Sequence, residues 1–155
     1  MAYSLQTHEP VGQLARQPER KIQQILVVDD DGPVREMLGR VFAEEGYSVW
    51  PAADGADALK IAAATQLDLV LLDLGLPGKS GWDTFEELTL RDPLLAVIVI
   101  TAKPNQLEVA KAAGAGALFE KPLDFPALLR TAAELIAEPP SARVARMVGF
   151  NKKYL

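Results

Sequence analysis

Four carboxylates, one ammonium and one hydroxyl stand where apolar runs of this chain come to an end. Ile25-Leu26-Val27-Val28 runs into Asp29-Asp30-Asp31, and Asp68-Leu69-Val70-Leu71-Leu72 runs into Asp73-Leu74-Gly75-Leu76-Pro77. Ala96-Val97-Ile98-Val99-Ile100 ends on Thr101, and Ala117-Leu118-Phe119-Glu120 ends on Lys121-Pro122. Carboxylates brought to one place repel each other strongly in a low dielectric. A hard divalent cation relieves that repulsion, and an all-oxygen site with open water positions suits Mg²⁺ better than zinc. A carboxylate beside such a cation can act as a nucleophile toward phosphorus. Lys121 can then neutralise a transferred phosphoryl oxygen, and Thr101 can donate a hydrogen bond to another. Taken singly these signals are weak, because acidic loops are commonly just solvated and Lys-Pro is commonly a turn. Their joint placement at four run ends carries the reading.

The elements that must position them follow from the spacing of apolar residues. The short, continuous apolar runs closed by Gly, Pro or polar residues read as strands buried on both faces, and the stretches between them read as helices. Asp31 can cap a first helix with Pro33 in its first turn, and Val34, Met37, Leu38, Val41 and Phe42 mark its buried stripe before Gly46 ends it. Tyr47 to Trp50 reads as a second strand, and Asp54 to Ala64 as a second helix with Leu59 and Ala63 inward. After the central strand and a loop through Gly81 come a third helix (Trp82 to Leu90), a fourth strand (Leu95 to Ile100), a fourth helix (Asn105 to Ala113) and a fifth strand (Ala117 to Glu120). Asp124 caps the last helix, whose core face is Phe125, Leu128, Leu129, Ala132, Leu135 and Ile136. Alternating strands and helices predict a parallel sheet covered on both faces, with the strand ends at one rim where open α/β sheets place their ligands.

At 155 residues the chain has room for one domain with a sizeable core. Residues 22–138 are expected to form it, with 1–21 a flexible leader and 139–155 a basic tail or linker after Pro139-Pro140. No apolar run reaches the length of a membrane span and the N-terminus lacks a secretory pattern, so a cytoplasmic location and no membrane partner are expected. The absence of cysteine excludes disulfides and thiolate metal sites. His8 is the single histidine and falls in the leader, which leaves histidine chemistry without support. Residues 22–138 hold 9 Lys and Arg against 19 Asp and Glu. Such an acidic body would repel phosphate backbones, so direct nucleic-acid binding by it is not expected.

Taken together, Ile25 to Asp31, the Ala53-Asp54-Gly55 turn before Ala58-Leu59, Leu71 to Pro77 with Gly81 beyond, Val99-Ile100-Thr101-Ala102 and Phe119-Glu120-Lys121-Pro122 resemble the receiver domains of two-component response regulators. The resemblance covers residues 22–138 and implies a five-stranded, doubly wound, flavodoxin-like (βα)5 fold of strand order 2-1-3-4-5. It also implies that Asp73 accepts a phosphoryl group, and that Asp29, Asp30, Asp73 and the Gly75 carbonyl hold Mg²⁺. Thr101 and Lys121 would contact the phosphoryl oxygens. The implied donor is a phosphohistidine on a sensor histidine kinase or a histidine phosphotransfer protein. The implied output is a downstream protein, or a second copy, docking on the face of the fourth helix, fifth strand and fifth helix. By the same resemblance the chain is a signalling domain that catalyses only its own phosphorylation and dephosphorylation, not an enzyme with an external substrate.

Two positions depart from that family's pattern. The aromatic usually found three residues before the lysine is Leu118 here, with Phe119 one place later, so signalling is expected to run through Thr101 and residues 102–105 instead of a rotating ring. Gly75, two residues after Asp73, leaves room for water at a phosphoryl group, and Lys103 adds a cation nearby. Among rivals, Asp29-Asp30-Asp31-Gly32 looks like the Asp-x-Asp-Gly motif of haloacid-dehalogenase-type phosphohydrolases. That reading would make Asp29 the nucleophile and Asp31 the acid/base, but it lacks a later acidic pair at a strand end. Gly78-Lys79-Ser80 ends like a phosphate-binding loop, yet the glycine required five residues earlier is Asp73.

Overall fold

The apolar runs become five parallel strands with β3 at the centre. A computed structural model describes residues 21–147; the leader to residue 20 with His8, and the tail lysines 152 and 153, lie outside the described residues. In chain order the elements are β1 (Gln24–Val28), α1 (Gly32–Glu44), β2 (Ser48–Ala52), α2 (Gly55–Ala64), β3 (Leu69–Asp73), α3 (Gly81–Arg91), β4 (Ala96–Thr101), α4 (Leu107–Ala113), β5 (Ala117–Glu120), α5 (Phe125–Ala137) and α6 (Pro140–Met147). The sheet order is β2-β1-β3-β4-β5, all parallel. This is the expected doubly wound 2-1-3-4-5 arrangement.

Every residue of β3 and β4 is buried, because both faces of the sheet are covered. Leu38 and Phe42 of α1 and Leu128, Ala132 and Leu135 of α5 pack on Ile25, Val27, Leu69, Leu71, Ile98 and Ile100. The opposite face, carrying Leu26, Val28, Val70, Leu72, Val97 and Val99, is covered by Ala58, Phe85, Leu88 and Ala110 of α2, α3 and α4. Each fully buried leucine or isoleucine contributes about 1.5–3 kcal/mol. Asp31 and Asp124 cap α1 and α5 as expected, and Asp54 and Ser80 cap α2 and α3: each accepts a hydrogen bond from the backbone N–H three residues on. Among the described residues no helix is long and apolar enough to cross a membrane.

Several local expectations are corrected. Met37 is 48% exposed, and the inward face of α1 narrows to Leu38 and Phe42 with Val34 packed beside them. In α2 the buried residues are Gly55 and Ala58, the latter flanked by Leu59, Ile61 and Ala62, while Ala63 is exposed; one helical turn from Ala58 reaches 61 and 62, not 63. The fourth helix starts at Leu107 because Asn105 has φ 62°, outside the helical region. Strand β2 runs on through Pro51 to Ala52, which an edge strand tolerates because no further strand needs the missing N–H. Pro139-Pro140 ends α5, and the basic stretch after it opens with the short helix α6. The Arg143 guanidinium of α6 donates to the carbonyl of Leu94 at 3.1 Å and to those of Leu135 and Ile136 at 3.1 and 3.3 Å. It thereby satisfies last-turn carbonyls of α5 with positive charge at the helix's negative end.

Two glycines separate steric need from backbone freedom. A Cβ on Gly81 would stand 2.4 Å from Leu74 Cα, whereas one on Gly39 would meet only Val49 Cγ1 at an ordinary 3.7 Å. Urea unfolding should therefore show Gly81→Ala destabilised by about 1–3 kcal/mol through overpacking, and Gly39→Ala stabilised by roughly 0.5–1 kcal/mol.

Candidate functional site

Parallel register builds the site. Val28 of β1 pairs with Leu72 of β3, so the next residues, Asp29 and Asp73, emerge side by side. Thr101 ends β4 and its carbonyl accepts the Lys121 N–H at 2.9 Å, which brings the fifth strand's lysine to the same rim. Ligand oxygens of Asp29, Asp30 and Asp73 all lie within 4.8 Å of one another. Asp29 is 1% and Asp73 6% exposed, while Asp30 faces solvent.

The Lys121 ammonium bridges the two buried carboxylates, donating to Asp73 Oδ2 at 3.0 Å and to Asp29 Oδ2 at 3.2 Å. Their other oxygens are held by backbone: Asp29 Oδ1 accepts from the Asp31 N–H at 3.0 Å, and Asp73 Oδ1 from the Gly75 N–H at 2.9 Å. Burial pushes the Asp29 carboxyl above its ordinary range, with the Asp73 charge adding to the rise and the Asp31 N–H and Lys121 opposing it. For Lys121, burial works against the ammonium, but the hydrogen bond to Asp73 and the charges of Asp29 and Asp73 outweigh it and raise the group. One cation thus faces three carboxylates. The donor set of carboxylate oxygens with no sulfur or imidazole fits a hard ion such as Mg²⁺. Asp30, exposed at the mouth, leaves room for the waters such an ion keeps.

The structure brings Asp29, Asp30, Asp73 and Lys121 together as the sequence predicts. Thr101 reaches the rim but is turned into its own loop: it is 1% exposed, and Oγ1 accepts the Lys103 N–H at 2.9 Å. The contact seen from Gly75 is its N–H. Asp31 caps α1 and does not join the cluster, which removes the acid/base that a phosphohydrolase reading requires. Lys79 of the apparent phosphate loop pairs with Glu87 on α3. Leu118 packs toward α2–α4 and Phe119 toward α5, so strand alternation keeps Phe119 from substituting for the missing aromatic. Arg35 was not foreseen: its Nη1 donates to the Asp29 carbonyl at 2.7 Å. The available signal was its place one turn beyond the cap Asp31.

Residues 25–133 match the family described as response regulator receiver domain. The chain is 38% identical over 105 residues to sporulation initiation phosphotransferase F of Bacillus subtilis, covering 66% of this chain and 85% of that protein. It is 40% identical over 95 residues to the DNA-binding response regulator MtrA of Mycobacterium tuberculosis, spanning 61% of this chain but only 41% of the relative's length. Among solved structures it resembles a CheY-like receiver domain protein from Methanospirillum hungatei, with TM-score 0.71, 27% identity, and 75% and 94% of the two chains covered. It also resembles the response regulator TrrA of Thermotoga maritima in complex with Mg²⁺ and BeF, with TM-score 0.68, 32% identity, and 74% and 99% covered.

Cation binding tests the cluster directly. Asp30→Asn, a change at an exposed position, should weaken Mg²⁺ binding by about tenfold or more, the equivalent of 1.4 kcal/mol, in a titration followed by tryptophan fluorescence. Because ligation needs Asp29 deprotonated and its carboxyl titrates above the usual range, Mg²⁺ affinity should begin to fall at a higher pH than an ordinary aspartate would impose. Lys121→Met should lower stability in EDTA by up to about 3 kcal/mol, since it leaves two buried carboxylates uncompensated, and saturating Mg²⁺ should recover most of the loss.

Proposed function

This chain belongs to the response regulator receiver family, and on that premise we propose that it accepts a phosphoryl group on Asp73 in a Mg²⁺-dependent reaction and thereby switches a protein-docking face. The observation that carries the proposal is the bridge from Lys121 to Asp29 and Asp73 beside the exposed Asp30. A receiver needs a nucleophile, a divalent-cation site and a fixed cation within one hydrogen bond of each other, and these residues supply that set.

In the proposed step an Asp73 carboxylate oxygen attacks phosphorus of a phosphohistidine. The new O–P bond forms as the N–P bond breaks, and the imidazole nitrogen leaves with its electron pair and takes up a proton from solvent. Asp29, Asp30, Asp73 and the Gly75 carbonyl would hold Mg²⁺. The ion would supply charge neutralisation for the phosphoryl oxygens. Lys121 stays at the transferred group as a second cation, and Thr101 releases the Lys103 N–H to donate its hydroxyl proton to a phosphoryl oxygen. Charge-assisted bonds of this kind contribute about 1.5–3 kcal/mol each. Two of them approach the roughly 5.5 kcal/mol that moves an equilibrium from 1:99 to 99:1.

The donor is proposed to be a sensor histidine kinase or a histidine phosphotransfer protein, in a cytoplasmic two-component or phosphorelay pathway. The relative named a phosphotransferase and the one solved with Mg²⁺ and BeF support this chemistry. The output face is formed by α4, β5 and α5, where Leu107 is 40% and Val109 47% exposed, and it suits a downstream protein or a second copy. The acidic body makes nucleic acid an unsuitable direct partner. The only catalysis proposed is the chain's own phosphorylation and dephosphorylation.

Incubation with acetyl phosphate and Mg²⁺ should add one phosphoryl group to the wild-type chain by intact mass. Asp73→Asn should remain unmodified, and Thr101→Ala should still be modified. An equal adduct on Asp73→Asn would place the acceptor elsewhere.

A further inference from the structure

Two paths from the rim converge on one glutamine. Gly81 opens α3 directly against the acceptor loop, so closely that a Cβ there would stand 3.0 Å from the Asp73 carbonyl oxygen. Trp82 follows, packed against the apolar cluster beneath α2, α3 and α4 and edge-on to Phe85 with ring centroids 5.5 Å apart. Its indole N–H donates to Gln106 Oε1 at 3.1 Å across 24 positions of sequence. On the other path Thr101 Oγ1 accepts from the Lys103 N–H, and the next residue, Pro104, offers its carbonyl to Gln106 Nε2 at 3.4 Å.

Gln106 is the N-cap residue of α4, yet its side chain makes no bond to that helix's own amides. An N-cap side chain ordinarily serves the first turn; here it is engaged by α3 instead. The residue before it, Asn105, holds φ 62°, a left-handed conformation that asparagine adopts more readily than other non-glycine residues and that breaks the chain's direction just before α4. Helix α4 is otherwise lightly held, with Ala110 its one buried residue and Leu107 and Val109 facing out. Leu118 lies against the same cluster as Trp82 and has no ring to rotate.

We propose that the Trp82–Gln106 hydrogen bond transmits the state of Asp73 to α4 in this chain, with Trp82 and Gln106 as positioning residues in place of a rotating aromatic on β5. The inference rests on Asp73 being the phosphoacceptor. A shift of the Asp73 loop moves Gly81 and Trp82 together, and the N-terminus of α4 must follow to keep the indole bonded. A shift of Thr101 reaches the same glutamine through residues 102–105.

The test uses the full chain with Mg²⁺ and beryllofluoride, reading occupancy at the acceptor by fluorine NMR and amide exchange at residues 107–113 by mass spectrometry. In wild type, exchange in α4 should change by roughly threefold to tenfold on binding, the scale of one net hydrogen bond gained or lost locally. Trp82→Phe keeps a ring against Phe85 and loses the donor; Gln106→Ala loses the acceptor. Both should keep the bound-fluoride signal and lose most of the α4 change, and the double variant should lose no more than either alone. Gln106→Glu keeps an acceptor for the indole N–H and loses the Nε2 donor to the Pro104 carbonyl, so its response should exceed that of Gln106→Ala. A full α4 response in Trp82→Phe and Gln106→Ala, or a response in Gln106→Glu no larger than in Gln106→Ala, overturns the proposal. No bound fluoride in wild type is instead the failure of the phosphoacceptor reading, and transmission falls with it.

Discussion

The Lys121 ammonium between Asp29 and Asp73 is the interaction on which the rest of the structure depends. Two carboxylates buried at adjacent strand ends oppose folding, since each must leave water and both carry the same charge. At an effective dielectric of 20, unit charges 4 Å apart interact by about 4 kcal/mol, so the pair is tolerable only with a cation in hydrogen-bond contact. Lys121 provides one positive charge and Asp30 adds a third negative one at the mouth. Three carboxylates thus share one bridging ammonium, a balance that a hard divalent cation at the rim would relieve.

That polar cluster is affordable because the frame beneath it is not. Strands β3 and β4 are buried along their whole length. Stability is concentrated below the rim, and freedom above it. The exposed residues run through 77–80 and 102–105, the two loops that flank Asp73 and Thr101. Movement confined to those loops leaves the core intact, and the helix they jointly border, α4, is the least anchored of the layer. Lightly held elements beside a rigid core are where low-cost conformational change is found.

At the opposite end of the sheet, Arg143 joins α6 to α5 and to Leu94, two residues before β4. Its guanidinium reaches three carbonyls that would otherwise face the surface, and its Nε lies 3.9 Å from Glu138 Oε1. Arg143 thus fastens the start of the basic segment to the body of the domain. A planar donor fork serves such a cluster of carbonyls better than a lysine would.

Much of this architecture was legible in the order of residues alone. Apolar runs of strand length, the caps Asp31 and Asp124 and the alternation of periods specify a parallel sheet covered on both faces, because burial on both faces demands uninterrupted apolar strands. The positions of Asp29, Asp30, Asp73, Thr101 and Lys121 at run ends were likewise enough to place them on one rim, since parallel strands bring their carboxyl ends to one side. Tertiary structure decided what periodicity cannot reach. Whether Met37 or Ala63 faces in depends on which residues of each helix the sheet takes up: Leu38 and Phe42 in α1, Ala58 in α2. Asp31 leaves the carboxylate cluster because the N–H of Val34 claims its oxygen, and Phe119 cannot stand in for Leu118 because β5 turns alternate side chains to opposite layers. The bonds from Arg35 to Asp29, Trp82 to Gln106 and Arg143 to Leu94 join residues whose pairing has no local signature: each donor finds its acceptor only after the core has set the distance between their elements.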